Sequence, residues 1–498
     1  MLSKEYRLTK KVYRTLIADL PKNELEKALE QVQQVTKTAK KSQLRLTTKV
    51  KIVPTKEQEK VLWALAENCR LIHYFASRER KDWWEKNKNL PKKKRDKENK
   101  PTYNKQSKQL PKQKELYPRY KQNYSKTLEG TLKQLEADYR SFYALRDNGD
   151  KDAQPPGFKG KKHFTTMHFN QSGFKIKGTT ITLSHFYPTR ETKEVDLTFE
   201  MQGKLTFEGK KVKQVTIYQV NKTIEFYLSI IYEAVTPKYH NNGVYQAIDL
   251  GLINLVAAVN SHKGKTTIIK NKRVEKYWQP KLEEVQRKRD HCRRYSNRWH
   301  WYNDKLNKMI TKQANQREDF QHKISKQIIE NTKANTIIIG DLNVKTMSKS
   351  LKGDKKNDKS LHRNMQNSGS IGRFTRFLTY KAQLVGKKVI RISERNSSKR
   401  CCYCMTKKNR LLSERTISCD CGLVIDRDTS GTVNLLQRFF ALLALSQKRL
   451  VVRQRLLKDF REKFFATHSQ TLNESSSSVG VGRTRRKSQV NVTSLRVR

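Results

Sequence analysis

The sequence predicts a multidomain α+β protein, in which a barrel-like antiparallel domain interrupted by helices precedes an α/β domain interrupted by a cysteine-rich module. Three observations carry this expectation. From His168 to Val235 the chain runs as short alternating stretches, HFNQSGFKIKG, TTITLSHF, KQVTIYQVNK and TIEFYLSIIYEAV, punctuated by Gly and Asn, the pattern of antiparallel strands closing a barrel. From Val244 onward, apolar runs (VYQAI, TIIIG, KKVIRIS) alternate with stretches of helical period, as in an α/β sheet. Five of the seven cysteines crowd between Cys401 and Cys421.

Residues 1–44 read as charged helices with little apolar content, an N-terminal helical extension. LRLTTKVKIV alternates as a strand and ends at Pro54-Thr55, a helix start. EQEKVLWALAENCRLIHYFASRERKDWWEK and NYSKTLEGTLKQLEADYRSFYAL have helical spacing, and between them lies a Lys-rich, Pro-containing loop. The barrel therefore comprises 45–56 and 151–240, with a helical insertion at 57–150. The α/β domain takes 241–396 and 423–449, including a long charged helical region at 273–332, and the cysteine module takes 397–422. The remainder, 450–498, is basic, ends in SSSSVGVGRTRRKSQ and reads as a disordered tail. No internal repeat is visible.

Lys and Arg number 106 against 47 Asp and Glu, a formal net charge of +59 on 498 residues. Such a surplus repels itself in a compact chain, and nucleic acid is the polyanion whose counterion release rewards dispersed Lys and Arg. The first residues, MLSKEYRLTKKVYRTL, contain no apolar segment of the secretory kind, and the run Phe439 to Leu445 is too short for a bilayer. The expectation is a reduced, cytoplasmic protein without a membrane partner.

Asp249 closes the apolar run VYQAI, where a charge is costly unless a cation or partner neutralises it; turn formation is the plainer alternative. Asp426 and Asp428, in VIDRDTSGTVNLL, either cap the following helix or serve a second acidic position. Cys401 and Cys404 form a C-x-x-C hook and Cys419 and Cys421 a tighter C-x-C hook, four thiolates suited to one structural tetrahedral Zn²⁺. Cys402 is a spare thiol, and Cys69 and Cys292 are packing residues. Tyr74, Phe75, Trp83 and Trp84 lie among cations and either stack on bases or, for at least half of them, pack in the core. Trp299 and Trp301 are assigned to neither role. His322 packs.

The ordered series KVKIVPTKEQ, CRLIHYF, PPGFKGKKHF, AIDLG, NQREDFQHKIS, IIIGDLNVKTM, YKAQLVGKKVIRISERNSSKRCCYC and CDCGLVIDRDTSGTVNLL resembles the TnpB-type transposon-encoded nucleases and the compact type V CRISPR effectors, over most of 45–440. The resemblance implies an OB-like wedge barrel with an inserted helical recognition lobe, then an RNase H-like RuvC domain holding a zinc-binding target-loading module. It also implies a guide RNA that pairs with one strand of a double-stranded DNA target, a short target-adjacent motif read by the N-terminal domains, and RuvC cleavage with two Mg²⁺ ions.

The sequence departs from that family at Gly340, where many members carry the second catalytic Glu. Asp341 is one substitute, but neighbouring strand residues face opposite sides. Glu394, at the end of KKVIRISE, is another, since adjacent strands lie about 4.8 Å apart. A nuclease-dead, RNA-guided DNA-binding protein is the third possibility, and a guide-free nuclease or zinc-ribbon transcription factor stands further off. Glu394 is the preferred substitute, making Asp249, Glu394 and Asp428 the expected catalytic and Mg²⁺-binding set, with Asp426 in support.

Overall fold

A computed structural model describes residues 4–36, 43–91, 93–150, 152–161, 163–186, 195–220, 225–341, 371–409, 414–446 and 450–467. Contacts divide the chain into two compact units, one of 1–40, 237–275 and 317–498 and the other of 41–236 and 276–316. The basic loop after Asp341 and the tail from 468 on lie outside the described residues.

The chain begins with α1 (Lys4–Ala18) and α2 (Lys22–Thr36), then enters the second unit with β1 (Gln43–Ile52) and α3 (Lys56–Asn87). Thr55 caps α3 through a reciprocal box with Gln58, which satisfies donors that a helix start leaves open. Two short helices, α4 (Tyr103–Lys108) and α5 (Leu110–Leu116), lead to α6 (Ser125–Asp147). The strands are β2 (Met167–Asn170), β3 (Phe174–Lys177), β4 (Thr180–Leu183), β5 (Thr198–Glu200), β6 (Val212–Val220) and β7 (Glu225–Val235).

They form two antiparallel sheets, ordered β1-β7-β6-β2 and β3-β4-β5. Strand β7 shows the cause in its sequence: Phe226, Leu228, Ile230, Tyr232 and Ala234 alternate inward while their neighbours stay accessible. The inward rows share a core with Leu62, Leu65 and Ile72 of α3 and Leu128, Leu132 and Leu135 of α6. Trp83 and Trp84 belong to that core, and Phe75 is exposed. Cys69 is fully buried there.

The other unit is a five-stranded sheet clad in helices. Its strands are β8 (Tyr245–Asp249), β9 (Asn254–Asn260), β10 (Thr266–Lys270), β11 (Thr336–Gly340) and β12 (Lys388–Ile392). Helices α7 (Val274–Asp290) and α8 (Asn297–Asn331) follow β10 in the chain, but 276–316 belong to the unit described above and only the later part of α8 to this one; α9 (Ile371–Leu384) precedes β12. A small hairpin, β13 (Thr416–Ser418) and β14 (Val424–Asp426), leads into α10 (Arg427–Ser446) and then α11 (Leu450–Thr467).

The sheet order is β10-β9-β8-β11-β12; the first three strands are antiparallel, and β8, β11 and β12 run parallel. Ile248, Ile337 and Ile339 face a core made with α8 and α9. Ala247, Ile338, Ile390 and Ile392 face the opposite core, made with α1, α2, α10 and α11. The apolar interiors of β9 and β11 follow from this double coverage.

Two expectations change here. The N-terminal extension is helical as expected, but its apolar residues are not incidental: Val12, Leu16, Val32 and Val35 are buried in the same core as the sheet. The segment from 450, expected as a tail, opens with α11, which buries Leu457, Phe460 and Phe464. The apolar spacing LLKDFREKFF carries that signal, but the Lys and Arg between outweigh it in a compositional reading. Cys292, expected to pack, is partly exposed. His322 stacks on Phe377 with ring centroids 3.8 Å apart.

Deleting a buried phenyl ring costs about 3–5 kcal/mol. Phe464→Ala should therefore destabilise this unit by about that much in urea unfolding, whereas a solvated tail residue would leave the transition unmoved.

Candidate active site and metal centre

Strand alternation sets the site. Asp249 has the parity of Ala247, Gly340 that of Ile338, and Glu394, two residues past β12, that of Ile392, so all three belong to the sheet face covered by α10. The register pairs Ile339 with Ile248 and Gly340 with Ile392, bringing these strand ends level. Asp341 takes the other parity; it is exposed, and its amide donates to the Ile392 carbonyl at 2.8 Å.

Gly340 explains where Glu394 goes. A Cβ added at Gly340 would overlap Oε2 of Glu394 and approach its Cβ at 3.4 Å. The Glu394 carboxylate thus occupies the space that any side chain at 340 would take. On the other side, a Cβ at Gly431 of α10 would lie 3.2 Å from Oδ2 of Asp249. Two glycines make room for two acids.

Asp249 and Glu394 hydrogen-bond to each other, and both are pushed above the usual carboxylate range. Desolvation is the largest cause for each; the Asp428 charge adds for Asp249, and the Asp249 and Asp341 charges add for Glu394. Among the described residues, Oε2 of Glu394 is buried with no hydrogen-bond partner. A buried carboxylate oxygen without a donor, facing a second acid, is a poor arrangement by itself and a fitting one for a divalent cation. Both residues keep some accessible surface, so an ion can enter.

Asp428 sits in the first turn of α10, where Nδ2 of Asn254 donates to its Oδ2 at 2.8 Å and Nη1 of Arg415 lies 3.6 Å from its Oδ1. Asp426 does something else. Its Oδ1 accepts from the Thr429 amide at 2.9 Å, so it caps α10, and the capping reading of this acidic pair holds for Asp426. Asn254 was missed by sequence reasoning; its one signal is a polar side chain opening an otherwise apolar strand.

The four cysteines expected as ligands come together. One sulfur each from Cys401, Cys404, Cys419 and Cys421 lie within 4.8 Å of one another, with Cys401–Cys421 at 3.7 Å and Cys404–Cys419 at 3.5 Å. Each hook is a tight turn: the Met405 amide donates to the Cys401 carbonyl, and the Gly422 amide to that of Cys419. Gly422 adopts φ 87°, which lets C-x-C turn as sharply as the longer hook. Cys402 is fully buried outside the cluster, so it does not stand in. The cluster can hold a metal ion.

A carboxylic acid with a raised folded-state value binds its proton more tightly in the folded protein. Its contribution to stability is complete below the unfolded value near 4 and is lost as pH rises through the raised folded value. In EDTA, the thermal midpoint of Asp249→Asn should therefore gain on the parent as pH climbs from about 4 through neutrality, and Mn²⁺ should shrink that gain. A pH-independent difference would contradict the electrostatic account.

Three family models match: a Helix-turn-helix domain over residues 44–89, a "Probable transposase" over 229–351 and a Cas12f1-like, TNB domain over 372–435. The chain is 26% identical over 330 residues to "Putative RNA-guided DNA endonuclease InsQ" of Escherichia coli, covering 64% of this chain and 76% of that protein. It is 25% identical over 313 residues to a "Putative RNA-guided DNA endonuclease" of Streptomyces pristinaespiralis, covering 62% and 70%. Its fold matches the protein of a Cas12f1–sgRNA–target DNA complex with TM-score 0.52 at 11% identity, over 79% of this chain and 98% of that one. In sequence this chain is thus similar to proteins named as RNA-guided DNA endonucleases, and in fold to a compact type V CRISPR effector, the resemblance that its ordered motifs imply.

Proposed function

We propose that the chain is an RNA-guided DNA endonuclease that cuts a double-stranded target through a RuvC-type site made of Asp249, Glu394 and Asp428. The observation that carries the reading is the Glu394 carboxylate in the space above Gly340, beside Asp249. The sheet supports it: an antiparallel β8–β9–β10 meander followed by parallel β11 and β12 is the arrangement expected of an RNase H-like core. The antiparallel sheets around the α3 and α6 core correspond to the wedge and its helical recognition lobe, which would read the target-adjacent motif.

Asp249, Glu394 and Asp428 would hold two Mg²⁺ ions. Such ions supply an activated water and neutralise charge on the departing oxygen of the phosphodiester. The chain's own contribution is placement. Asp249 and Glu394 hydrogen-bond to each other and repel when both are ionised, a repulsion that a bound cation would offset. Asn254 orients the Asp428 carboxylate and leaves its other oxygen beside the cationic Arg415, near where a phosphate would come.

The four-cysteine cluster would hold one Zn²⁺, closed by four protein sulfurs and hence structural. Guide RNA would choose the sequence by base pairing while the +59 charge grips backbones. Among the described residues no helix is long and apolar enough to cross a membrane.

Two outcomes test this reading. Protein purified with its RNA should cut a guide-matched plasmid with Mg²⁺ or Mn²⁺, and Glu394→Gln should lower cutting by at least about 100-fold while matched-DNA binding persists. Undiminished cutting by that variant would remove Glu394 from the site, and a parent that binds but never nicks would establish the nuclease-dead alternative. In metal analysis the parent should carry one zinc per chain and Cys404→Ser with Cys419→Ser should carry none; retention of zinc by that variant would contradict the assignment.

A further inference from the structure

Glu394 stands on a turn, not on a strand, and a turn needs something to hold it. Arg438 of α10, whose side chain is 1% exposed, supplies part of this: Nη1 donates to the Ser393 carbonyl at 2.5 Å and Nη2 to the Arg395 carbonyl at 2.7 Å. The guanidinium therefore grips the backbone on both sides of Glu394. A buried guanidinium needs a counterion, and Arg438 finds it at Asp19, 3.7 Å away, directly after α1.

Asp19 is also nearly buried, at 7% exposure. It accepts a bidentate pair from Arg400, Nε and Nη2 each at 2.6 Å, and a third bond from Nδ2 of Asn396 at 3.2 Å. Asn396 holds the left-handed φ of 60° that bends the turn. From the first turn of α2, Oε2 of Glu24 accepts from the Ser393 hydroxyl at 2.6 Å. The α1–α2 junction thus reaches residues 393, 396 and 400 of one short turn, with Glu394 between them.

We propose that the α1–α2 pair is a built-in positioning element of the nuclease site, in which Asp19, with Arg438, fixes the Glu394 carboxylate for its cation, and Glu24 assists. The inference rests on the reading that Glu394 is a metal ligand. Glu394 does not hold itself: it stands past the end of β12, and among the described residues one of its carboxylate oxygens has no hydrogen-bond partner. Neutralising Asp19 leaves Arg400 and Arg438 as two enclosed cations without their shared anion, and the turn shifts to separate them. Displacement of about 1 Å at a reacting centre costs about 100-fold in rate, and loss of an outer partner costs about 10–100-fold in metal affinity.

The test uses the full chain with its copurified RNA and single-turnover cutting of matched DNA across a Mn²⁺ titration, with DNA retention in EDTA measured alongside. Asp19→Asn preserves volume; it should raise the half-saturating Mn²⁺ concentration about 10-fold and slow the saturated rate, with DNA retention unchanged, and Asp19→Glu should recover part of the loss. A purely structural role would reduce the active fraction at an unchanged half-saturating concentration, and that result overturns the proposal. Should Asp19→Asn fail to fold, Ser393→Ala, which removes the Glu24 contact and the 3.4 Å bond that the Ser393 hydroxyl accepts from the Arg395 amide, should shift the Mn²⁺ requirement in the same direction, and an unshifted requirement overturns it. Glu394→Gln separates the two claims. If that variant cuts normally, the ligand reading fails; if it is inactive while Asp19→Asn keeps the parent's Mn²⁺ dependence, the positioning element alone fails.

Discussion

The contact on which the account depends is the entry of one carboxylate into the space of a missing side chain. Gly340 ends a strand whose neighbours are all isoleucine or threonine, and its lack of a Cβ is what admits Glu394 against Asp249. The two positions form a unit: Gly at 340 is needed because Glu394 is there, and Glu394 can reach Asp249 because 340 is Gly. A side chain at 340 would reach the same region from the sheet directly. Here the acid arrives from the next strand over, through a turn, and the burden of orientation moves from a strand backbone to that turn and what grips it.

Electrostatics gives this arrangement its tension. The chain carries a large positive surplus, yet at neighbouring strand ends it sets Asp249 beside Glu394, with the charge of Asp428 adding to the repulsion on the first and that of Asp341 on the second. Burial makes the repulsion costlier, and among the described residues no donor reaches one Glu394 oxygen to offset it. Stability alone would favour an amide or an apolar residue there. Acids kept in such a place are better accounted for by a ligand of opposite charge than by folding.

Much of this was legible in the sequence because it depends on local pattern. The two-residue period of EFYLSIIYEAV gave the inward row of β7, the all-apolar TIIIG gave a strand buried on both faces, and the paired hooks gave the cysteine cluster. Asp249 was visible as an acid closing an apolar run, and Glu394 as the acid one strand away from a misplaced glycine. What stayed hidden depends on tertiary partners. Asp426 and Asp428 look alike in sequence, and only the direction of the α10 amides makes the first a cap. The helices of 4–36 carry enough charge to pass for an extension, although their valines and leucines close the core. Arg438, within a long apolar helix, gives no sign that it holds two carbonyls around Glu394.

A structure determined with Mn²⁺ tests the central claim most directly, since anomalous scattering locates the ion without reference to activity. The account predicts an anomalous peak within about 2.0–2.3 Å of carboxylate oxygens from both Asp249 and Glu394. A peak ligated by Asp249 and Asp428 with Glu394 turned away, or by Asp341 in its place, would contradict it.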